Sequence, residues 1–257
     1  MFTIKQRDAL RDRVLCLAAE DDRVVAAAAV GSLAVGGGDR FSDLDLTFGV
    51  NDGVAISEVL DDWTRSLITE LAAVQLADLQ LVSTIYRVFL LPEALQLDLS
   101  MTPASQFRPA GPRFRLIFGQ ITDGEPAAPP STTPHLFIST PAVPDDLLGW
   151  GVIYGLHARA CIERRRVWQA EHYIAAVRDH SLSLACLTEK LTAIQARGYD
   201  DLSAETLARF APTHIGTAEP AALHEALAAC VSALLHEAAR ANVPSAEIIA
   251  NRLAEFQ

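Results

Sequence analysis

Two segments of this 257-residue chain alternate so strictly that they demand a sheet with two unlike faces: "DLDLTF", residues 43–48, and "LQLDLSM", residues 95–101. Successive side chains of a β-strand point to opposite sides. Leu44, Leu46 and Phe48 therefore share one face and Asp43 and Asp45 the other, while Leu95, Leu97, Leu99 and Met101 oppose Gln96, Asp98 and Ser100. The apolar rows require a core. Two carboxylates about 7 Å apart along one strand repel each other unless a cation lies between them. All-oxygen ligands select hard ions such as Mg²⁺, commonly held by one or two carboxylates while substrate phosphates complete the octahedron. Asp98 is the candidate third carboxylate, provided its strand lies beside the first.

Upstream of the paired aspartates stands a turn signal. Gly31 and Ser32 fall where the apolar run "RVVAAAAV" ends, so their backbone N–H groups and the Ser32 hydroxyl are suited to approach a phosphate. Gly36, Gly37 and Gly38 let the return loop fold tightly, and Ser42 supplies a further hydroxyl just before Asp43.

Around this motif the sequence predicts an N-terminal helix opened by a Thr3/Gln6 capping box, with Ile4, Leu10, Val14 and Leu17 at helical intervals. A strand up to Gly31 follows, then a helix over Ser57–Val74, two strands around the turn Pro92-Glu93-Ala94, and a short strand at "FRLIFG". Six of the 13 prolines then fall between Gln120 and Pro144, too many for a regular element. Beyond Pro144 the periodicity is helical throughout. Strands followed by a run of helices predict an α+β protein: a mixed sheet flanked by helices over 1–119, a proline-rich linker over 120–143, and an all-α bundle over 144–257.

Gly31-Ser32, ten residues, then Asp43-Leu44-Asp45-Leu46, with Asp98 on a later strand, resembles the DNA polymerase β-like nucleotidyltransferase superfamily. The helical second half resembles, in general plan, the aminoglycoside and lincosamide adenylyltransferases of that superfamily. The resemblance implies that Gly31 and Ser32, with Ser42 nearby, hold a nucleoside triphosphate, and that Asp43, Asp45 and Asp98 are catalytic ligands of Mg²⁺. The implied reaction moves AMP from ATP to a hydroxyl of a small molecule, such as an antibiotic, and releases pyrophosphate. Some relatives carry at the third position a glutamate that also acts as general base; here it is the shorter aspartate. A different class stays open, a toxin-antitoxin type nucleotidyltransferase that modifies or binds a partner protein.

In the helical half, Glu171 and Arg178 stand seven residues apart and so share a helix face. Glu171 is expected to bind a cationic acceptor or serve as base, and Arg178 to meet a nucleotide phosphate. Arg164, Arg165 and Arg166 read as a solvated cluster. The formal net charge of −11 repels a nucleic-acid backbone, which disfavours a polymerase and favours cationic ligands. No apolar run approaches the roughly 20 residues of a membrane span, and the charged N-terminal residues do not form a signal peptide. The four cysteines, without a C-x-x-C pair, read as reduced core residues of a cytoplasmic protein, monomeric or homodimeric.

Overall fold

The structure, a computed structural model, describes residues 2–36, 38–109, 111–122 and 143–254. It falls into two compact units that meet in sequence between Phe137 and Ile138, outside the described residues. Most of the predicted linker, and Gly37, also lie outside them. Of that linker, Thr122 stays bound to the first unit: its N–H donates to the Phe107 carbonyl at 2.8 Å and its hydroxyl to the Ala104 carbonyl at 2.8 Å.

The first unit is α+β. Helix α1 (Ile4–Glu20) begins at the capping box, where the Thr3 hydroxyl accepts from the Gln6 N–H and the Gln6 side chain accepts from the Thr3 N–H. Strand β1 (Val24–Val30) leads into a single helical turn, α2 (Gly31–Ala34). Then come β2 (Leu44–Val50), α3 (Ile56–Leu71), β3 (Val74–Leu81), β4 (Thr84–Leu91), β5 (Leu95–Pro103) and β6 (Phe114–Phe118). The six strands form one mixed sheet in the order β3-β4-β5-β2-β1-β6. Only β2 and β5 run parallel, and their register sets Asp45 directly opposite Asp98.

One face of the sheet carries the core. Leu44, Leu46, Phe48, Leu95, Leu97, Leu99 and Met101 are buried there with Val14 and Ala18 of α1 and with Val59, Leu60, Trp63 and Leu67 of α3. Each fully buried leucine contributes about 1.5–3 kcal/mol, so this row alone fixes the strand register. A slip by one residue would carry the aspartates into the core.

Two expectations are corrected. The helix predicted to reach Val74 stops at Leu71, because Ala72 turns left-handed (φ 52°) and the Ala73 N–H closes the end on the Leu67 carbonyl at 3.1 Å. Val74 instead opens β3, an outer strand absent from the sequence reading. In α1 the inward side chain near the start is Arg7, only 3% exposed, while Ile4 faces solvent.

Residues 143–254 are helical wherever they are regular: α4 (Pro144–Glu163), α5 (Val167–Thr188), α6 (Ala204–Phe210), α7 (Pro220–Arg240) and α8 (Ala246–Arg252). Pro144 and Pro220 sit in the first turn of α4 and α7, where a missing N–H costs no hydrogen bond. Helices α4, α5 and α7 pack on one another, and Leu148, Val152, Ile174, Val177, Leu227 and Leu234 on them are buried. Of the cysteines, Cys161, Cys186 and Cys230 are buried free thiols, but Cys16 is exposed on α1 and is no core residue. Among the described residues no helix is long and apolar enough to cross a membrane.

Candidate active site

The parallel pairing of β2 with β5 builds the site. Neighbouring strands lie about 4.8 Å apart, so a matched pair of side chains on the same face meets across the gap. Asp45 and Asp98 are that pair, and Asp43, one residue before β2, falls on the same side by alternation. One oxygen from each of the three carboxylates lies within 4.8 Å of the others. The predicted acidic triad thus assembles from two segments more than fifty residues apart in sequence.

The loop that delivers Asp43 is braced from α1. Arg7 Nη1 donates to the Asp39 carbonyl at 2.5 Å, and its Nη2 pairs with Asp8 at 3.1 Å, which explains how a guanidinium is tolerated at an interior position. Asp39 Oδ1 accepts from the Phe41 N–H at 2.9 Å and from the Ser42 hydroxyl at 3.1 Å, a local turn that competes well with other structure. The Ser42 hydroxyl also accepts from the Asp39 N–H at 3.0 Å. Ser42, named from the sequence as a nucleotide-binding residue, is 2% exposed and engaged in this loop.

Gly31 is required for a specific steric reason. Its φ is +67°, a left-handed conformation, and a Cβ placed on it would overlap the Asp45 carboxylate. The turn before Ser32 therefore passes directly against a metal-ligand candidate. The Gly31 N–H is taken by the Arg113 carbonyl at 3.2 Å, next to β6. Ser32, partly buried, lies in the short α2 turn.

Electrostatically the cluster is under stress. Burial, followed by the charges of Asp43 and Asp98, pushes the Asp45 carboxyl up to about 8, against a smaller opposing pull from Arg113. Burial and Asp43 raise Asp98 to about 7, offset in part by a hydrogen bond from Gln96. Among the described residues no Lys or Arg forms an ion pair with Asp45 or Asp98. Such a set of crowded oxygens fits a hard divalent cation, whose charge would bring both groups back to the ionised form. Its all-oxygen chemistry suits Mg²⁺ or Mn²⁺ better than Zn²⁺.

Sequence reasoning missed two participants. Gln96 Nε2 donates to Asp98 Oδ1 at 2.8 Å, and Arg7 holds the loop before Asp43. Gln96 was legible, sharing the polar face of β5 with Asp98; Arg7 was not, since nothing in a helical pattern pairs it with a loop thirty residues away.

In the helical unit, Glu171 is exposed on α5. On the same helix Arg178 is partly buried, and its Nη1 donates to the Thr213 carbonyl at 3.2 Å, tying α5 to the turn after α6. That bond engages one of five guanidinium donors. Tyr173 stacks with Tyr154 at 6.0 Å and meets the edge of His157 at 5.2 Å, an aromatic seam between α4 and α5.

No protein-family model matches the sequence, and no curated protein matches it. Among solved structures, an aminoglycoside 6-adenyltransferase from Bacillus subtilis aligns over 95% of this chain and 96% of its own, with 12% identity and a TM-score of 0.34. A superposition that loose bears neither on the fold nor on the chemistry.

Proposed function

We propose that the chain is a divalent-metal-dependent nucleotidyltransferase that moves AMP from ATP to a hydroxyl of a small molecule. The observation that carries this reading is the convergence of Asp43, Asp45 and Asp98 within 4.8 Å, with Gly31 of the Gly-Ser turn packed against Asp45. Convergence alone would suit any hard-cation site; the adjoining glycine turn, at the spacing the sequence resemblance predicts, adds the phosphate side.

In this reaction the acceptor oxygen forms a bond to the α-phosphorus, the bond from that phosphorus to the bridging oxygen breaks, and pyrophosphate leaves. Asp43, Asp45 and Asp98 would hold the cation, which supplies charge neutralisation at the α-phosphate and lowers the pKa of the attacking hydroxyl. Gly31 and Ser32 would orient the triphosphate tail so that nucleophile and leaving group stand in line. Glu171 is assigned to the acceptor as the carboxylate that binds a cationic group or takes the hydroxyl proton, and Arg178 to a nucleotide phosphate. An aminoglycoside or a lincosamide is the acceptor class suggested by the resemblance of the helical half, and the chain's acidity suits a cationic acceptor.

The test is pyrophosphate release from Mg·ATP against a panel of hydroxylated antibiotics and metabolites, with the products weighed by mass spectrometry. An acceptor heavier by one AMP, formed by the wild type and not by Asp45→Asn, is the expected result. AMP attached to protein instead would move the assignment to the toxin-antitoxin class, and no transfer with any acceptor would remove it. With an acceptor in hand, Glu171→Gln should raise the acceptor KM roughly tenfold, about 1.4 kcal/mol of binding, and leave the KM for ATP unchanged. An unchanged acceptor KM and kcat would free Glu171 of any role.

A further inference from the structure

Gln96 lies on the polar face of β5, two residues before Asp98, and is only 4% exposed. Its carboxamide is half satisfied. Nε2 donates to Asp98 Oδ1 at 2.8 Å, yet Oε1, fully buried, has no hydrogen-bond partner among the described residues. A buried amide oxygen without a donor costs about 1–3 kcal/mol, and Leu or Met would fill the same space without that cost. Beside an Asp98 ionised by a bound cation, which can only accept, Nε2 faces the carboxylate as it does here and Oε1 faces away. Since the two atoms share one small planar group, whatever donates to Oε1 lies within a few ångströms of the Asp98 carboxylate.

The donor that fits is water carried by the cation. Mg²⁺ gives up its hydration reluctantly and usually keeps several waters beside one or two carboxylates. Such waters are strong donors that seek acceptors around the site. We propose that Gln96 is a positioning residue for the divalent ion: Nε2 fixes the Asp98 carboxylate as a ligand, and Oε1 accepts a hydrogen bond from the ion's hydration shell. The proposal rests on the metal site proposed above and adds a residue outside the acidic triad. Groups that orient a metal's ligands in this way are typically worth 10- to 100-fold in metal affinity.

Mn²⁺ binding to the full chain without nucleotide, counted by the electron paramagnetic resonance of the free ion, tests it. Gln96→Met keeps the volume and removes both polar atoms, and it should weaken Mn²⁺ binding 10- to 100-fold with a melting temperature equal to the wild type's or higher. In the wild type, the Gln96 side-chain amide resonances should shift on addition of Mg²⁺; this second measurement needs no variant to fold. Unchanged Mn²⁺ affinity in Gln96→Met, or amide resonances indifferent to Mg²⁺, overturns the role of Gln96. In either case Asp45→Asn still abolishes Mn²⁺ binding if the metal site itself is right. A wild type that binds no Mn²⁺ would overturn the metal site and the Gln96 proposal together.

Discussion

At the C-terminal end of α1, Asp21 accepts hydrogen bonds from Arg23 at 2.9 Å and from the Trp63 indole at 2.9 Å, and Arg23 reaches on to Asp62 at 2.6 Å. Its carboxyl is held below the ordinary range, chiefly by the Arg23 hydrogen bonds. Asp45 and Asp98, in the same unit, are raised to about 8 and about 7 by burial and then by neighbouring carboxylates, Asp43 acting on both and Asp98 on Asp45. The helical unit repeats the first pattern: Glu237, with no exposed surface, is met by Arg240 at 2.7 Å and Arg209 at 3.4 Å. The protein therefore has the means to neutralise a carboxylate internally, and does so at Asp21 and Glu237, where the acid holds elements together. On the β2–β5 face it supplies three acids and, among the described residues, no ion-paired base for Asp45 or Asp98. That difference is the one expected between a structural acid and the metal ligands proposed above.

The site acids should respond most visibly when exchanged for neutral groups. Asp45→Asn removes a proposed metal ligand and should reduce turnover at least a hundredfold, since groups one step further from a metal already cost 10- to 100-fold. The same change relieves repulsion in the cluster, so the metal-free variant should melt above the wild type. Turnover within twofold of the wild type would end the metal-site reading. Gly31→Ala forces a Cβ into the space of the Asp45 carboxylate and should cost turnover roughly tenfold or more through a misplaced ligand. Full activity in that variant would mean that Asp45 does not need its present position.

Glu237→Ala tests an acid that is neutralised within the protein. It strands Arg209 and Arg240, whose side chains are 28% and 32% exposed and can turn partly to water. The loss should therefore be about 2 kcal/mol, below the 3–5 kcal/mol of a fully buried pair. Denaturant unfolding would read it, with Mn²⁺ affinity untouched. A shift in Mn²⁺ binding without a loss of stability would reverse the roles assigned to the two kinds of acid.

How much of this was legible in the sequence follows from what local patterns can encode. The alternation in β2 and β5 announced both the sheet faces and the carboxylate row, because a period of two is a property of neighbouring residues. The capping box at Thr3 and the prolines opening α4 and α7 were local signals as well. Strand β3 was lost because Val74 fell on the helical stripe of α3, and the residue that ends the helix is Ala72 rather than the glycine that usually marks a left-handed cap. The engagement of Ser42 with Asp39 leaves no trace in residue type. The adjacency of Asp45 and Asp98 was predicted only as a condition, that their strands be neighbours. Strand order is a long-range property, and no residue near either aspartate encodes it.

The gentlest test uses pH alone. Asp45 and Asp98 have folded-state values near 8 and 7, above the 3.8 of an unperturbed aspartate, so between about pH 4 and pH 8 the metal-free folded chain retains protons that the unfolded chain has released. Stability from this pair is therefore present below pH 4 and is lost as the pH climbs through 7 and 8. Asp21 runs the other way: its depressed value adds stability above pH 4, lost only as the pH falls through its folded value. Between pH 5.5 and 8.5 Asp21 is silent and the site acids dominate the contrast between wild type and Asp45→Asn. The metal-free wild type should lose several degrees of melting temperature relative to that variant over this interval, at about 2–4 °C per kcal/mol for a chain of this size. Millimolar Mg²⁺ should restore the loss at pH 8.5 and do little at pH 5.5, where the ligands are protonated. Parallel pH profiles for the wild type and the variant, unmoved by Mg²⁺, would mean that the β2–β5 carboxylates are as settled in the protein as Asp21.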